Sequence, residues 1–172
     1  MITELGQFTL GLALVVAFYQ AVVPLVGAHR GDRRWMAAAQ PAAVIQFALI
    51  AIAFAALTHA YLTSDFSVLN VVRNSHSTKP MIYKISGVWG NHEGSLLLWI
   101  LILTLFGACV ALFGRNLPPS LRARVIGIQG LIGTGFIAFV LLTSNPFQRV
   151  YPAPLDGNDL NPLLQDPGLA LH

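Results

Sequence analysis

Four apolar runs, roughly 7–27, 36–62, 95–114 and 125–144, decide what this chain can fold into. Each holds about the twenty residues needed to cross a hydrocarbon core near 30 Å at about 1.5 Å per residue. Inside such a core the backbone has no water to bond, so each run must satisfy its own amides as a helix. Composition agrees, with 55% of residues hydrophobic and 10% charged, against about a quarter charged in an ordinary soluble domain. The expected fold class is all-α: a polytopic membrane protein with four transmembrane helices.

The residues before the first run carry Glu4 and no Lys or Arg, and the run is longer than a signal-peptide core, so it reads as a retained helix. Orientation follows from the arginines. Arg30, Arg33 and Arg34 lie in the short connection after the first run, and Arg115, Arg122 and Arg124 in the one after the third. Both connections are expected on the inner side, which puts both termini outside. The chain then divides into 1–62, the first two helices; 63–94, an outer loop; 95–144, the third and fourth helices; and 145–172, a second outer segment. The net charge of +3 resides in these connections and reports topology, so no nucleic-acid partner is inferred. Cys109 is the only cysteine, which excludes an internal disulfide or a CxxC pair. Mid-span charges are lacking, which disfavours a transporter or channel.

Gly127, Gly130 and Thr134 recur on one face of the fourth run, with Gly133 and Gly135 broadening it, and this small-residue face is expected to pack closely on a neighbour. Gln46 and Gln129 are deep enough that an amide turned to lipid would be costly, so both are expected to face other helices. Pro41 lies near the start of the second run, where a proline disrupts least.

The unusual chemistry lies outside the spans. Trp89-Gly-Asn-His-Glu-Gly-Ser95 runs into Leu96-Leu-Leu-Trp99 at the mouth of the third helix. His92 and Glu93 can bind metal, hydrogen-bond a ligand or pair with another helix, and Asn91 or Ser95 can cap the helix. Trp89 and Trp99 suit an aromatic belt at the membrane interface. His59 is expected at the outer end of the second span as an interfacial hydrogen-bonded histidine. His76 is read as part of a mobile polar loop, and Arg73, Lys79 and Lys84 as solvated loop charges. The proline-rich segment from Asn145 reads as extended chain laid on the outer surface.

The Trp89–Ser95 and Leu96–Trp99 motifs, the Ser144-Asn-Pro-Phe147 turn and Asp159-Leu-Asn-Pro-Leu-Leu-Gln-Asp-Pro-Gly-Leu-Ala-Leu-His172 together resemble the N-terminal part of CcmF. This is the haem lyase subunit of cytochrome c maturation, in the haem-handling superfamily with NrfE and CcsA relatives. The resemblance covers the whole chain. It implies a cytochrome c-type biogenesis protein of the bacterial inner membrane with functional loops in the periplasm, or of the mitochondrial inner membrane. Such a protein takes haem b from the haem chaperone CcmE and supports its covalent attachment to apocytochrome c, beside a CcmH-type apocytochrome-binding subunit. The resemblance makes His172 an axial ligand to haem iron, with Trp89, His92, Glu93 and Trp99 as further haem-contacting candidates and no catalytic residue assigned. Family members are much longer, so the chain is expected to be a truncation or one piece of a split member, whose remaining part is then a partner. Its status as an enzyme on its own stays open. The alternative is a structural membrane assembly subunit that binds partners but no haem.

Overall fold

The structure, a computed structural model, describes residues 1–158. Its helices are α1 (Ile2–Arg30), α2 (Arg33–Ala37), α3 (Ala39–Leu62), α4 (Leu69–Asn74), α5 (Met81–Gly87), α6 (His92–Phe113) and α7 (Pro119–Thr143). Four of these segments are long and apolar enough to cross a membrane: α1, α2 with α3, α6 with the turn that follows it, and α7. The all-α class and the four spans therefore hold. The helices overrun the apolar stretches at their starts, because Pro119 at the first helical position pre-sets the backbone of α7 and Asn91 caps α6 ahead of Ser95.

Gly31 closes α1 in the left-handed region at φ 71°, and Asp32 immediately caps α2 through the Arg34 and Trp35 amides. This tight reversal sets Arg30 over the Trp35 ring, 5.9 Å from its centre. It returns the chain as α3 beside α1.

The long helices form a ring in which α1 contacts α3 and α7, and α6 contacts α3 and α7. Close approach comes from small residues. A Cβ on Gly130 would stand 2.9 Å from the Ala21 amide nitrogen and 3.1 Å from the Ala17 carbonyl, and one on Gly127 would stand 2.7 Å from Leu25. Across from them Ala13, Ala17 and Ala21 are buried, so two backbones meet with little side chain between them. Gly133 packs closely too, on α3 rather than α1, since a Cβ there would stand 2.8 Å from Gln46 Nε2. Gly135 does not, since a Cβ there would meet nothing within 4 Å; two residues further on, it lies on nearly the opposite side of the helix.

At the centre, Gln20 on α1 donates to the Ile126 carbonyl (3.0 Å) and to Gln129 Oε1 (2.5 Å) on α7. Gln129 Nε2 in turn reaches Gln46 Oε1 on α3 (3.4 Å) and the Leu103 carbonyl on α6 (3.5 Å). One chain of amides thus touches all four long helices, as the depth of Gln46 and Gln129 predicts. Outward surfaces are apolar all round, with Phe8, Val15, Trp99 and Phe106 each more than 60% exposed. Helices of this kind stand in lipid or against further helices.

Candidate functional site

The N-terminus of α1, the 63–94 connection and the segment from Ser144 to Asn158 all meet at one end of the bundle. The 63–94 connection is two short helices rather than a loop. α3 ends where Thr63 donates its amide to the His59 carbonyl (2.9 Å), and Ser64 turns the chain at φ 51°. Lys84 on α5 reaches back to Ser64 Oγ at 2.7 Å and is 9% exposed, while Lys79 is 8% exposed with Nζ 3.4 Å from the Asn74 carbonyl. Both lysines therefore depart from the solvated reading; their ammonium groups are held by oxygens inside the folded connection. Arg73 is exposed as expected.

Asn91 organises this end. Its Oδ1 accepts from the Gly94 amide (2.8 Å) and so caps α6. Its Nδ2 donates to the Gly87 carbonyl (2.8 Å), the Val88 carbonyl (3.2 Å) and the Tyr61 hydroxyl (3.0 Å). Tyr61 is fully buried and donates to Asn70 Oδ1 at 2.5 Å. Asn70 Nδ2 closes the network on Asn91 Oδ1 (2.8 Å) and Glu93 Oε2 (3.3 Å). Four elements, α3, α4, α5 and α6, are joined through three side chains. Gly94 is required here, because a Cβ would overlap the Val88 carbonyl oxygen.

The predicted site residues separate on this frame. Glu93 is half-buried and bonded to Asn70. Trp89 packs against the main core. His92 is exposed, and among the described residues its side chain makes no hydrogen bond, leaving its imidazole available. Trp99, seven residues and about two turns further along α6, is 65% exposed on the side of the bundle. The motif's residues are therefore not gathered into one pocket. His172 lies outside the described residues. His59 is exposed at the rim of a shallow groove between α3 and α6, with Phe54, Thr58 and Leu101 among its walls. Its side chain makes no hydrogen bond among the described residues. No cluster of three His, Cys, Asp or Glu able to hold a metal occurs among the described residues.

Residues 144–158 are laid over this end, as their composition predicts. Phe147 is buried against Gly6, where a Cβ would stand 2.5 Å from the ring. Leu69 donates its amide to the Gln148 carbonyl (2.8 Å) and Val150 to that of Ser67 (3.0 Å). Arg149 binds Glu4 and Ser67 and lies 3.7 Å from Asp65. Partial burial pushes the Asp65 carboxyl up, but hydrogen bonds from Ser67 and Thr3 and the Arg149 charge hold it below its usual value. Further on, Asp156 accepts from the Ser77 amide (2.9 Å) and hydroxyl (2.6 Å). Those bonds lower its pKa from 3.8 to about 2. His76 Nε2 lies 3.3 Å from the same carboxylate, so the 75–78 turn is tied down rather than mobile. Asn158 donates to the Val72 carbonyl at 2.7 Å.

Comparison with known proteins bears on all of these elements. Residues 89–172 match the family described as "Cytochrome C assembly protein". Over its whole length the chain is 64% identical to the cytochrome c-type biogenesis protein ccl1 of Rhodobacter capsulatus and 62% identical to CycK of Rhizobium meliloti. It spans 26% and 25% of those relatives, about a quarter of their length. A solved structure of "Cytochrome c Heme Lyase CcmF" superposes with a TM-score of 0.81 at 28% identity, over 86% of this chain and 25% of that one.

Proposed function

Because the chain belongs to the CcmF family of cytochrome c-type biogenesis proteins and matches the N-terminal quarter of its members, we propose that it forms part of a membrane haem lyase. In this reading the assembly receives haem b from the haem chaperone CcmE. It supports covalent attachment of that haem to apocytochrome c, with a CcmH-type subunit holding the apoprotein. The observation that carries the reading is the 64% identity over all 172 residues to a protein named for cytochrome c biogenesis. The arginines between α1 and α3 and between α6 and α7 support a cytoplasmic position for those turns in a bacterial inner membrane. The polar end then faces the periplasm, where apocytochrome thiols are met.

Haem is the substrate, and His172 is assigned as an axial ligand to its iron, since a neutral imidazole nitrogen suits that metal. The Asn91 network gives the chain's own contribution: a rigid platform of α4, α5 and the start of α6, with residues 144–158 strapped across it. His92, exposed and unbonded among the described residues, is the residue of the Trp89–Trp99 motif best able to touch a ligand there. Glu93 and Trp89 act through the platform's shape, and Trp99 toward the membrane. The thioether chemistry resides in haem and the substrate thiols, while the protein orients them.

A scaffold that binds partners and no haem is the second reading, favoured by the internal engagement of Asn91, Glu93 and Trp89. Absorption spectra of the protein purified from its own membranes, beside His172→Ala and His92→Ala, separate the two. A Soret band lost or shifted in His172→Ala is the expected result. Absence of haem, or a band indifferent to that substitution, would overturn the ligand assignment and favour the scaffold.

A further inference from the structure

The end of the bundle opposite the Asn91 network carries six arginines and, among the described residues, one carboxylate. Arg30, Arg33 and Arg34 lie where α1 gives way to α2, and Arg115, Arg122 and Arg124 between the end of α6 and the first turns of α7. Asp32, the acidic residue, is engaged in capping α2, where it accepts from the Arg34 and Trp35 amides at 2.8 and 3.4 Å. Among the described residues no ion pair joins any of these arginines to a carboxylate.

The two groups share one surface. α2 packs against α7, and Arg124 Nη2 donates to the Ala28 carbonyl at 3.3 Å, which ties the second turn to the end of α1. Ala39, Ala43, Ala111 and Ile126 cluster beneath, so α3, α6 and α7 form its floor. A Cβ on Gly27 would stand 2.6 Å from Trp35 Cβ and 2.8 Å from the Met36 amide nitrogen, so α2 is pressed onto α1. That contact holds Trp35 exposed beside Arg30, an amphipathic ring suited to headgroup depth.

Membrane orientation alone does not account for the composition of this surface. Lysine and arginine serve the topology rule alike, yet both lysines, Lys79 and Lys84, are folded into the other end and this one uses arginine throughout. A guanidinium differs from an ammonium in its planar fork of donors, which meets phosphate oxygens two at a time. Apart from Arg124, these arginines make no side-chain hydrogen bond among the described residues, so their forks are open. They stand at the ends of the four candidate spans, the level of lipid phosphates.

We infer that this arginine-lined end binds the headgroup of an anionic phospholipid, with Arg33 and Arg34 on one side of the phosphate and Arg124 on the other. The site lies at the opposite end from the proposed haem platform and does not depend on which way the bundle is inserted, so it stands or falls apart from the function proposed above.

The test is native mass spectrometry of the protein purified from its own membranes, delipidated in neutral detergent and titrated with diphosphatidylglycerol or phosphatidylcholine. Diphosphatidylglycerol should be held about tenfold more tightly or better. Arg33→Gln with Arg34→Gln should weaken its binding about thirtyfold, and Arg124→Gln, whose amide can still serve the Ala28 carbonyl, about fivefold, following the worth of each cation near a lipid surface. Arg73→Gln, exposed at the other end, should change nothing. Circular dichroism checks that each variant stays helical. Displacement of the lipid by an equal concentration of inorganic phosphate would make this a site for a soluble anion and overturn the inference. Equal retention of the two lipids, or binding indifferent to the arginine substitutions, would also overturn it and leave the patch to topology or to an acidic protein segment.

Discussion

The Asn91 side-chain amide donates to the Tyr61 hydroxyl at 3.0 Å across thirty residues of sequence, while its carbonyl oxygen caps α6. The two halves of one amide thus do separate jobs. Asn91→Ala should lower stability by about 2 kcal/mol, combining a lost cap with unmet partners. Asn91→Asp discriminates between the jobs. It keeps the cap acceptor but turns a carboxylate oxygen toward the Gly87 and Val88 carbonyls, so it should be at least as damaging as alanine. Thermal unfolding in detergent measures both; rescue by aspartate would reduce the residue to a cap.

Gly94 is expected to be the least tolerant glycine of the motif. Its missing Cβ would overlap the Val88 carbonyl and stand 3.1 Å from Asn91 Nδ2, neither of which can retreat without breaking the network. Gly94→Ala should cost about 3 kcal/mol through forced backbone movement. Gly11→Ala, with open space around it, should be near neutral in the same unfolding assay.

Hydropathy made the spans legible because membrane crossing is a matter of length and composition, and each run carries that signal alone. The Gly127–Gly130 face was legible through helical periodicity. Other features needed tertiary structure. Gln20 is one polar residue in an apolar run, and its meaning appears only when α7 brings Gln129 to it. Tyr61 gives no local sign of its network, since its partners lie in α4 and beyond α5. Lys79 and Lys84 looked solvated because sequence records their charge and not the oxygens that the 63–94 connection folds around them. The Trp89–Ser95 motif announced polar chemistry at the mouth of α6 and offered Asn91 as its cap, yet not that Asn91 also binds Tyr61 and Glu93 binds Asn70 while His92 is left exposed.

The central amides make a test of coupling. A Cβ on Gly107 would stand 2.5 Å from Gln129 Oε1, so Gly107→Ala should displace Gln129 and loosen its bonds to Gln20 and Gln46. Gln129→Ala alone should cost about 1 kcal/mol or more, in the range of interhelical bonds in membranes. In the Gln129→Ala background the alanine at 107 gains room and should cost little. A double-mutant cycle by reversible unfolding in detergent should therefore be strongly non-additive; additive losses would mean that the two residues act separately.

The Asp156 contact predicts how the strap responds to acid. Its pKa is lowered from 3.8 to about 2, chiefly by the Ser77 hydroxyl, with the Ser77 and Gly157 amides and His76 adding to it. A depressed carboxylate pKa means that the folded contact favours the ionised form. The stabilisation is fully present above about pH 4 and is lost as pH falls through about 2. Gly157 sits against the Ser75 carbonyl with no room for a side chain, so the strap has one close-fitting seat, and losing the Asp156 bonds should lift this part of the chain. Pepsin cleavage within 150–158 should accelerate between pH 4 and pH 2 relative to cleavage elsewhere in the protein. Asp156→Asn, which lacks the titrating group, should be cut faster than the unmodified chain at pH 4 and show no such acceleration. An identical pH profile for the two proteins would mean that Asp156 does not hold the strap.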